Sequence, residues 1–127
     1  MRYLLDTHVI IWYFENLSKI PQEIYKIIDN RKNSIYISSV SLWEIAIKIN
    51  INKLNVRFTF DKLINDIKSG DFKILQIENE YLKKLAALPL IHKDPFDRLL
   101  VSTALAEDLT IITADDNIQR YNVSWIW

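Results

Sequence analysis

Four acidic residues are the chain's candidates for chemistry: Asp6 in "LLDTH", Glu44 in "SLWEI", Asp97 in "DPFDR" and Asp115 in "TADDN". Each lies just beyond a predicted strand end or in the first turn of the helix that follows. Carboxylates gathered within a few ångströms repel one another, so their pKa values rise or a cation settles among them. The donors are all oxygen and the chain has no cysteine, which points to a hard cation, magnesium or manganese. A divalent ion held this way lowers the pKa of bound water and neutralises charge developing on a phosphate, the requirements of phosphodiester hydrolysis.

Each acid also has a purely structural explanation. Ser41 with Glu44 has the spacing of a capping box, and Asp94 followed by Pro95 reads as an N-cap with proline at the first helical position. Asp97 then falls where a carboxylate suits the helix dipole. Asp115 or Asp116 can cap the short helix around Ile118, and Asp6 can end its strand through an Asx turn. What favours chemistry is the set. Parallel strands deliver their carboxyl ends to one edge of a sheet, where ligands bind.

The elements needed to place them alternate along the chain. Tyr3 to Leu5 reads as a strand and the apolar segment to Phe14 as a helix; Pro21 to Asn30 is helical, with Ile24, Ile27 and Ile28 on one face. "SIYIS" at 34 to 38 reads as a strand leading into a helix from Val40 to Ile51. Thr59 to Ser69 is helical, Phe72 to Ile77 a strand, and Glu78 to Leu88 a helix with Tyr81, Leu82, Leu85 and Ala86 inward. A helix after Pro95, a strand in "LTIIT" at 109 to 113 and a final strand in "VSWIW" complete the pattern. Such alternation predicts one α/β domain over residues 1–127, three layers deep, with helices on both faces of a mostly parallel sheet.

Composition narrows the rest. At 127 residues, half of them hydrophobic, the chain can build one core. Sixteen basic and sixteen acidic residues cancel, so no whole-molecule field attracts a polyanion, and a nucleic-acid site has to be a local patch. The single glycine, Gly70, excludes a glycine-rich phosphate loop. The longest apolar run, "VIIWYF", is far below the ~20 residues that span a bilayer. With no secretory signal at Met1 and no cysteine, a cytoplasmic location is the expectation.

At these residues the chain resembles the PIN-domain ribonucleases, and within them the toxin component of VapBC toxin–antitoxin systems. The resemblance spans nearly the whole sequence and rests on "LLDTHVIIWYF", "SSVSLWEIAIKININKL", "LPLIHKDPFDRLLVSTALAEDLTIITADDNI" and "YNVSWIW", in the family's order and spacing. It implies a PIN-like fold and a metal-dependent endoribonuclease that leaves a 5′-phosphate and a 3′-hydroxyl and acts as a growth-inhibiting toxin. It implies an acidic site of Asp6, Glu44, Asp97 and Asp115 holding one or two Mg2+ or Mn2+ ions. Asp6 and Asp97 are then the direct ligands. Glu44 binds metal or helps deprotonate the attacking water, Asp115 works directly or through water, and Asp116 is an outer substitute. The implied partners are an RNA substrate, an antitoxin segment that covers the pocket, and a second copy of the chain.

Around that site, the hydroxyls of Thr7 and Thr113 can orient a carboxylate or a water, or can simply serve strand and turn chemistry. His8 and His92 stay outside the catalytic set, because a carboxylate site for a hard ion needs no histidine. Arg98, Lys48, Lys53, Arg57 and Lys93 are candidates for a phosphate-binding rim, against the alternative of a solvated surface. The aromatic residues Trp12, Tyr13, Phe14, Trp43, Trp125 and Trp127 are assigned to core or interface, with core the default. The helix from Val40 to Ile51 has more apolar positions than one core stripe uses, so part of it is expected to face another protein.

Three other readings compete. An inactive PIN-fold module for RNA binding or regulation would lack an acid, and none of the four is missing. A phosphoacceptor receiver domain needs a central aspartate at another strand end, and the region around Asp61 reads as the start of a helix. A structural dimerisation domain leaves the four acids as coincidence.

Overall fold

The structure, a computed structural model, describes all residues 1–127. The chain runs β1 (Arg2–Leu5), α1 (Thr7–Glu15), a 3-10 turn (Leu17–Lys19), α2 (Gln22–Asp29), β2 (Ser34–Ser38), α3 (Ser39–Asn50), α4 (Phe60–Ser69) and β3 (Phe72–Leu75). It continues with α5 (Asn79–Ala86), α6 (Pro95–Glu107), β4 (Thr110–Ile112), α7 (Asp116–Gln119) and β5 (Trp125–Ile126). The five strands form one sheet in the order β3-β2-β1-β4-β5, and every pairing is parallel. The expected mostly parallel sheet is thus wholly parallel.

Strand alternation separates two cores. Tyr3, Leu5, Ile35, Ile37 and Ile112 point to one face and pack with Val9 and Ile10 of α1, Ile24 and Ile28 of α2, Leu42 and Ile45 of α3, and Leu63 and Ile67 of α4. Leu4 and Ile111 point to the other face, against Leu100, Val101 and Ala104 of α6 and Ile118 of α7. Because both faces are covered, the central strands are apolar over Tyr3–Leu5 of β1 and Ile111 and Ile112 of β4, as a buried parallel sheet requires. Each fully buried Leu or Ile contributes about 1.5–3 kcal/mol. The three layers follow from this two-sided burial.

Three local expectations need correction. The cap of α3 is Ser38, whose hydroxyl accepts from the Val40 N–H, so Ser41 and Glu44 form no capping box; the helix starts earlier and buries both inside it. In α5 Tyr81 is buried, whereas Leu82 and Ala86 are exposed, because only the 81/85 stripe faces α6. Trp43 and Trp125 are exposed, not core. Elsewhere the signals match. Asp94 Oδ1 accepts from the Asp97 N–H and Pro95 opens α6.

The topology fixes one place for a ligand. From β1 the chain moves outward to β2 and β3, then returns to the other side of β1 with β4 and β5. The crossovers diverge between β1 and β4, which leaves a crevice at the carboxyl ends of those strands. Asp6 follows β1 directly and Thr113 follows β4 directly.

Candidate active site

Asp6 stands at the N-cap position of α1, yet its side chain makes no cap bond. Its N–H bonds to the Ile112 carbonyl at 3.0 Å, which locks it to β4. Its Oδ2 accepts from the Thr113 hydroxyl at 2.8 Å, across the switch point. Thr113 Oγ1 in turn accepts from the Asp115 N–H at 2.9 Å, and the Gln119 amide donates to the Thr113 carbonyl. One fully buried threonine therefore aligns the carboxylate of one strand end with the turn that carries the next acid. Asp115 uses Oδ1 to cap α7, accepting from Asn117 and Ile118, so the structural explanation holds for that oxygen. Asp116 is exposed at the first position of α7.

Glu44 arrives from α3 and is only 5% exposed. Lys48, one turn further on, meets its Oε2 at 2.8 Å, while Oε1 is buried with no hydrogen-bond partner. A buried, unpartnered carboxylate oxygen is costly and needs a cation or donor to justify it. Asp97 arrives from the first turn of α6, and its Oδ2 lies 3.2 Å from His92 Nε2.

The carboxylates act on one another. Burial pushes the Asp97 carboxyl up to about 8, and the charges of Asp94, Asp6, Asp115 and Glu44 push in the same direction. Asp6 is also raised, chiefly by burial, with Asp115 adding to the rise and the Thr113 hydrogen bond and His8 opposing it. The charges of Asp6, Glu44 and Asp115, carried on three other parts of the fold, thus all reach Asp97.

The other candidates divide. Thr113 orients Asp6, whereas the Thr7 hydroxyl donates to Ser41 Oγ at 2.8 Å and ties α1 to α3. Lys48 is committed to Glu44. The Arg98 guanidinium donates to the carbonyls of Leu88, Pro89 and His92 and to the Tyr121 hydroxyl, so its fork holds a loop and does not project toward solvent for a phosphate. Lys53 and Lys93 are exposed, and Arg57 is exposed beside Glu15. His8 is exposed next to Asp6. Sequence reasoning missed Ser41 as the anchor of Thr7, and Tyr121 with His92 behind Asp97. Only His92, five residues before Asp97, gave a visible signal.

The donor set suits a hard divalent cation. It is all oxygen, its charges are mutually unfavourable, and one buried oxygen has no partner. Asp6 and Asp97 would hold such an ion, with Glu44 and Asp115 beside them. As they stand, no three of the acids and histidines form a group that could hold a metal ion. A magnesium-type ion ordinarily keeps several waters.

The PIN domain family model matches residues 3–123 of the chain. No curated protein sequence matches it. Among solved structures, it resembles a chain of VapBC2 from Rickettsia felis bound to a DNA fragment from their promoter, with TM-score 0.76, 21% identity, and coverage of 100% of this chain and 99% of that one. It also resembles VapBC-1 from nontypeable Haemophilus influenzae, with TM-score 0.67, 18% identity, and coverage of 99% and 97%. A third resemblance is to VapBC-5, of the VapBC family of toxin-antitoxin systems, from Mycobacterium tuberculosis, with TM-score 0.60, 17% identity, and coverage of 98% and 95%. At these identities the structural likeness is one of fold, while the family match runs from the first strand to the loop before the last: the chain belongs to the PIN domain family.

Proposed function

We propose that this protein is a metal-dependent endoribonuclease and the toxin of a toxin–antitoxin pair. The observation that carries the reading is the convergence of Asp6, Glu44, Asp97 and Asp115, with Asp97 pushed up to about 8 by burial and by the other acids. PIN domains are generally nucleases that use divalent metals, and the family match extends that expectation to this chain. When bound, Mg2+ or Mn2+ supplies an acidified water and a counter-charge for phosphate. Asp6 and Asp97 would hold the ion, Thr113 keeps Asp6 aligned, and Lys48 pairs with the buried Glu44 through Oε2. Lys53 and Lys93 are the exposed cations left to meet the RNA backbone.

The toxin role draws on the similar chains, which were solved in VapBC complexes. By that analogy the partners are an antitoxin that covers the acid cleft and a second copy of the chain. The exposed Trp43 on α3, packed edge-on against Phe96 at 5.2 Å between ring centres, gives an apolar surface suited to a protein contact.

The test is cleavage of a cellular RNA pool by purified, antitoxin-free protein with Mg2+ or Mn2+. Wild-type protein is expected to cut and to stop on chelation. Asp97→Asn is expected to lower cleavage by more than about a hundredfold, since it removes a ligand charge that the ion requires. Equal cleavage by the variant would overturn the site assignment.

A further inference from the structure

We propose that His92 is a positioning residue for Asp97, and that Arg98 and Tyr121 act through it by fixing which of its ring nitrogens bears the proton. The proposal deepens the ribonuclease reading and rests on it.

The inference follows from donors and acceptors taken in order. An arginine guanidinium has only donors. Arg98 Nη1 lies 3.0 Å from the Tyr121 hydroxyl, so the tyrosine oxygen accepts there. The hydroxyl hydrogen is left for the next group, and His92 Nδ1 lies 2.8 Å away. Nδ1 is then the acceptor of the ring, and in the neutral imidazole the hydrogen resides on Nε2. Nε2 faces Asp97 Oδ2 at 3.2 Å and donates to it. The opposite tautomer would turn Nδ1–H toward the Tyr121 hydroxyl and leave the Tyr121 hydrogen without this acceptor.

The arrangement is held from behind. Tyr121 is 4% exposed, and its ring meets that of His92 edge-on at 5.5 Å between centres. Arg98 also grips the His92 carbonyl at 3.2 Å and the Pro89 carbonyl at 2.9 Å, so the imidazole is fixed through its backbone as well as its ring. Asp97 and Arg98 are consecutive in α6, so one helical turn presents a carboxylate to the cleft and, from the adjacent residue, the cation that orients that carboxylate's partner. With Oδ2 occupied by Nε2–H, Asp97 offers Oδ1 to a metal in a single orientation. Donors behind a ligand carboxylate tune metal affinity, and their loss typically costs about 10–100-fold.

The test measures Mn2+ affinity by electron paramagnetic resonance, together with nitrogen-15 spectra of the His92 ring, which distinguish the two neutral tautomers from each other and from the imidazolium. Wild-type protein is expected to show the Nε2–H tautomer. Tyr121→Phe keeps the ring and removes the hydroxyl, so it is expected to mix the tautomers and weaken Mn2+ binding by roughly 3–10-fold, below the full loss of an outer partner. His92→Ala is expected to weaken binding by roughly 10–100-fold, and His92→Gln, which retains an N–H donor, to recover most of that. Unchanged Mn2+ affinity in His92→Ala, or an Nδ1–H tautomer in wild type, overturns the proposal and leaves the ribonuclease reading standing. Wild-type protein that binds no Mn2+, or Asp97→Asn that binds it equally well, overturns both.

Discussion

Leu5 and Asp6 are neighbours in the chain, and both are almost wholly out of solvent, at 0% and 2% exposure. Leu5 belongs to the aliphatic core beneath α1 to α4, where burial is favourable for every residue it touches. Asp6 belongs instead to the buried polar groups, with Glu44, Ser38, Ser41 and Thr113. Burial there opposes ionisation, and the acids oppose one another. The packed region supplies rigidity, and the cleft uses it to hold groups that would otherwise separate or protonate. One peptide bond divides a stabilising region from a destabilised one, so substitutions in the two should have opposite consequences.

The largest contrast is expected between Ile45→Ala and Asp97→Asn in chelator-treated protein. Ile45 is fully buried in α3 beside Glu44, and its truncation should cost about 2–5 kcal/mol in urea unfolding. Asp97→Asn should raise the unfolding midpoint above wild type, since it removes a charge that the cleft resists. A fall in both variants would erase the distinction between the regions. Next in size, Thr113→Val preserves shape and deletes the hydroxyl that serves both Asp6 and Asp115. Stability should drop by about 1–3 kcal/mol, the cost of leaving buried partners unsatisfied, and a neutral result would detach Thr113 from the cleft.

The remaining comparison concerns pH, and its sign can be fixed. Asp97 has its carboxyl raised from 3.8 to about 8, so between those values the folded metal-free protein keeps a proton that the unfolded chain has released. Its contribution to stability is fully present below the unfolded value and is lost as pH rises through about 8. The stability gap between wild type and Asp97→Asn should therefore widen from acid to mildly alkaline pH in calorimetry. Addition of Mn2+ should close it most on the alkaline side. A gap independent of pH would mean that Asp97 bears no excess proton affinity in the folded state.

The fold was legible because two-sided burial leaves a strong imprint. "YLL" and "TII" are apolar without alternation, and the amphipathic helices between them have one stripe each. The acids were legible through position, since the strand ends gave Asp6 and Asp115 and the helix start gave Asp97. What escaped was direction. The sequence contains the same hydroxyl in Thr7 and Thr113, yet one turns to Ser41 and the other to Asp6 across the switch point. Arg98 looked like a surface cation because no local pattern announces a grip on carbonyls ten residues back, in the loop before its own helix. Ser41 and Glu44 mimicked a cap because a helix beginning at Ser39 repeats serine over its first turn.

The bond between Thr113 and Asp6 joins groups 107 positions apart. During synthesis Asp6 is made 107 positions ahead of Thr113, and it waits for all the residues between them before Thr113 can reach it. Strand β1 likewise lacks one neighbour until β4 has emerged, so the centre of the sheet is completed only then. A chain released early, or cut short before β4, would retain most of its acids and still lack the cleft. The order of manufacture thus withholds the finished site until β4 and the turn after it have been made.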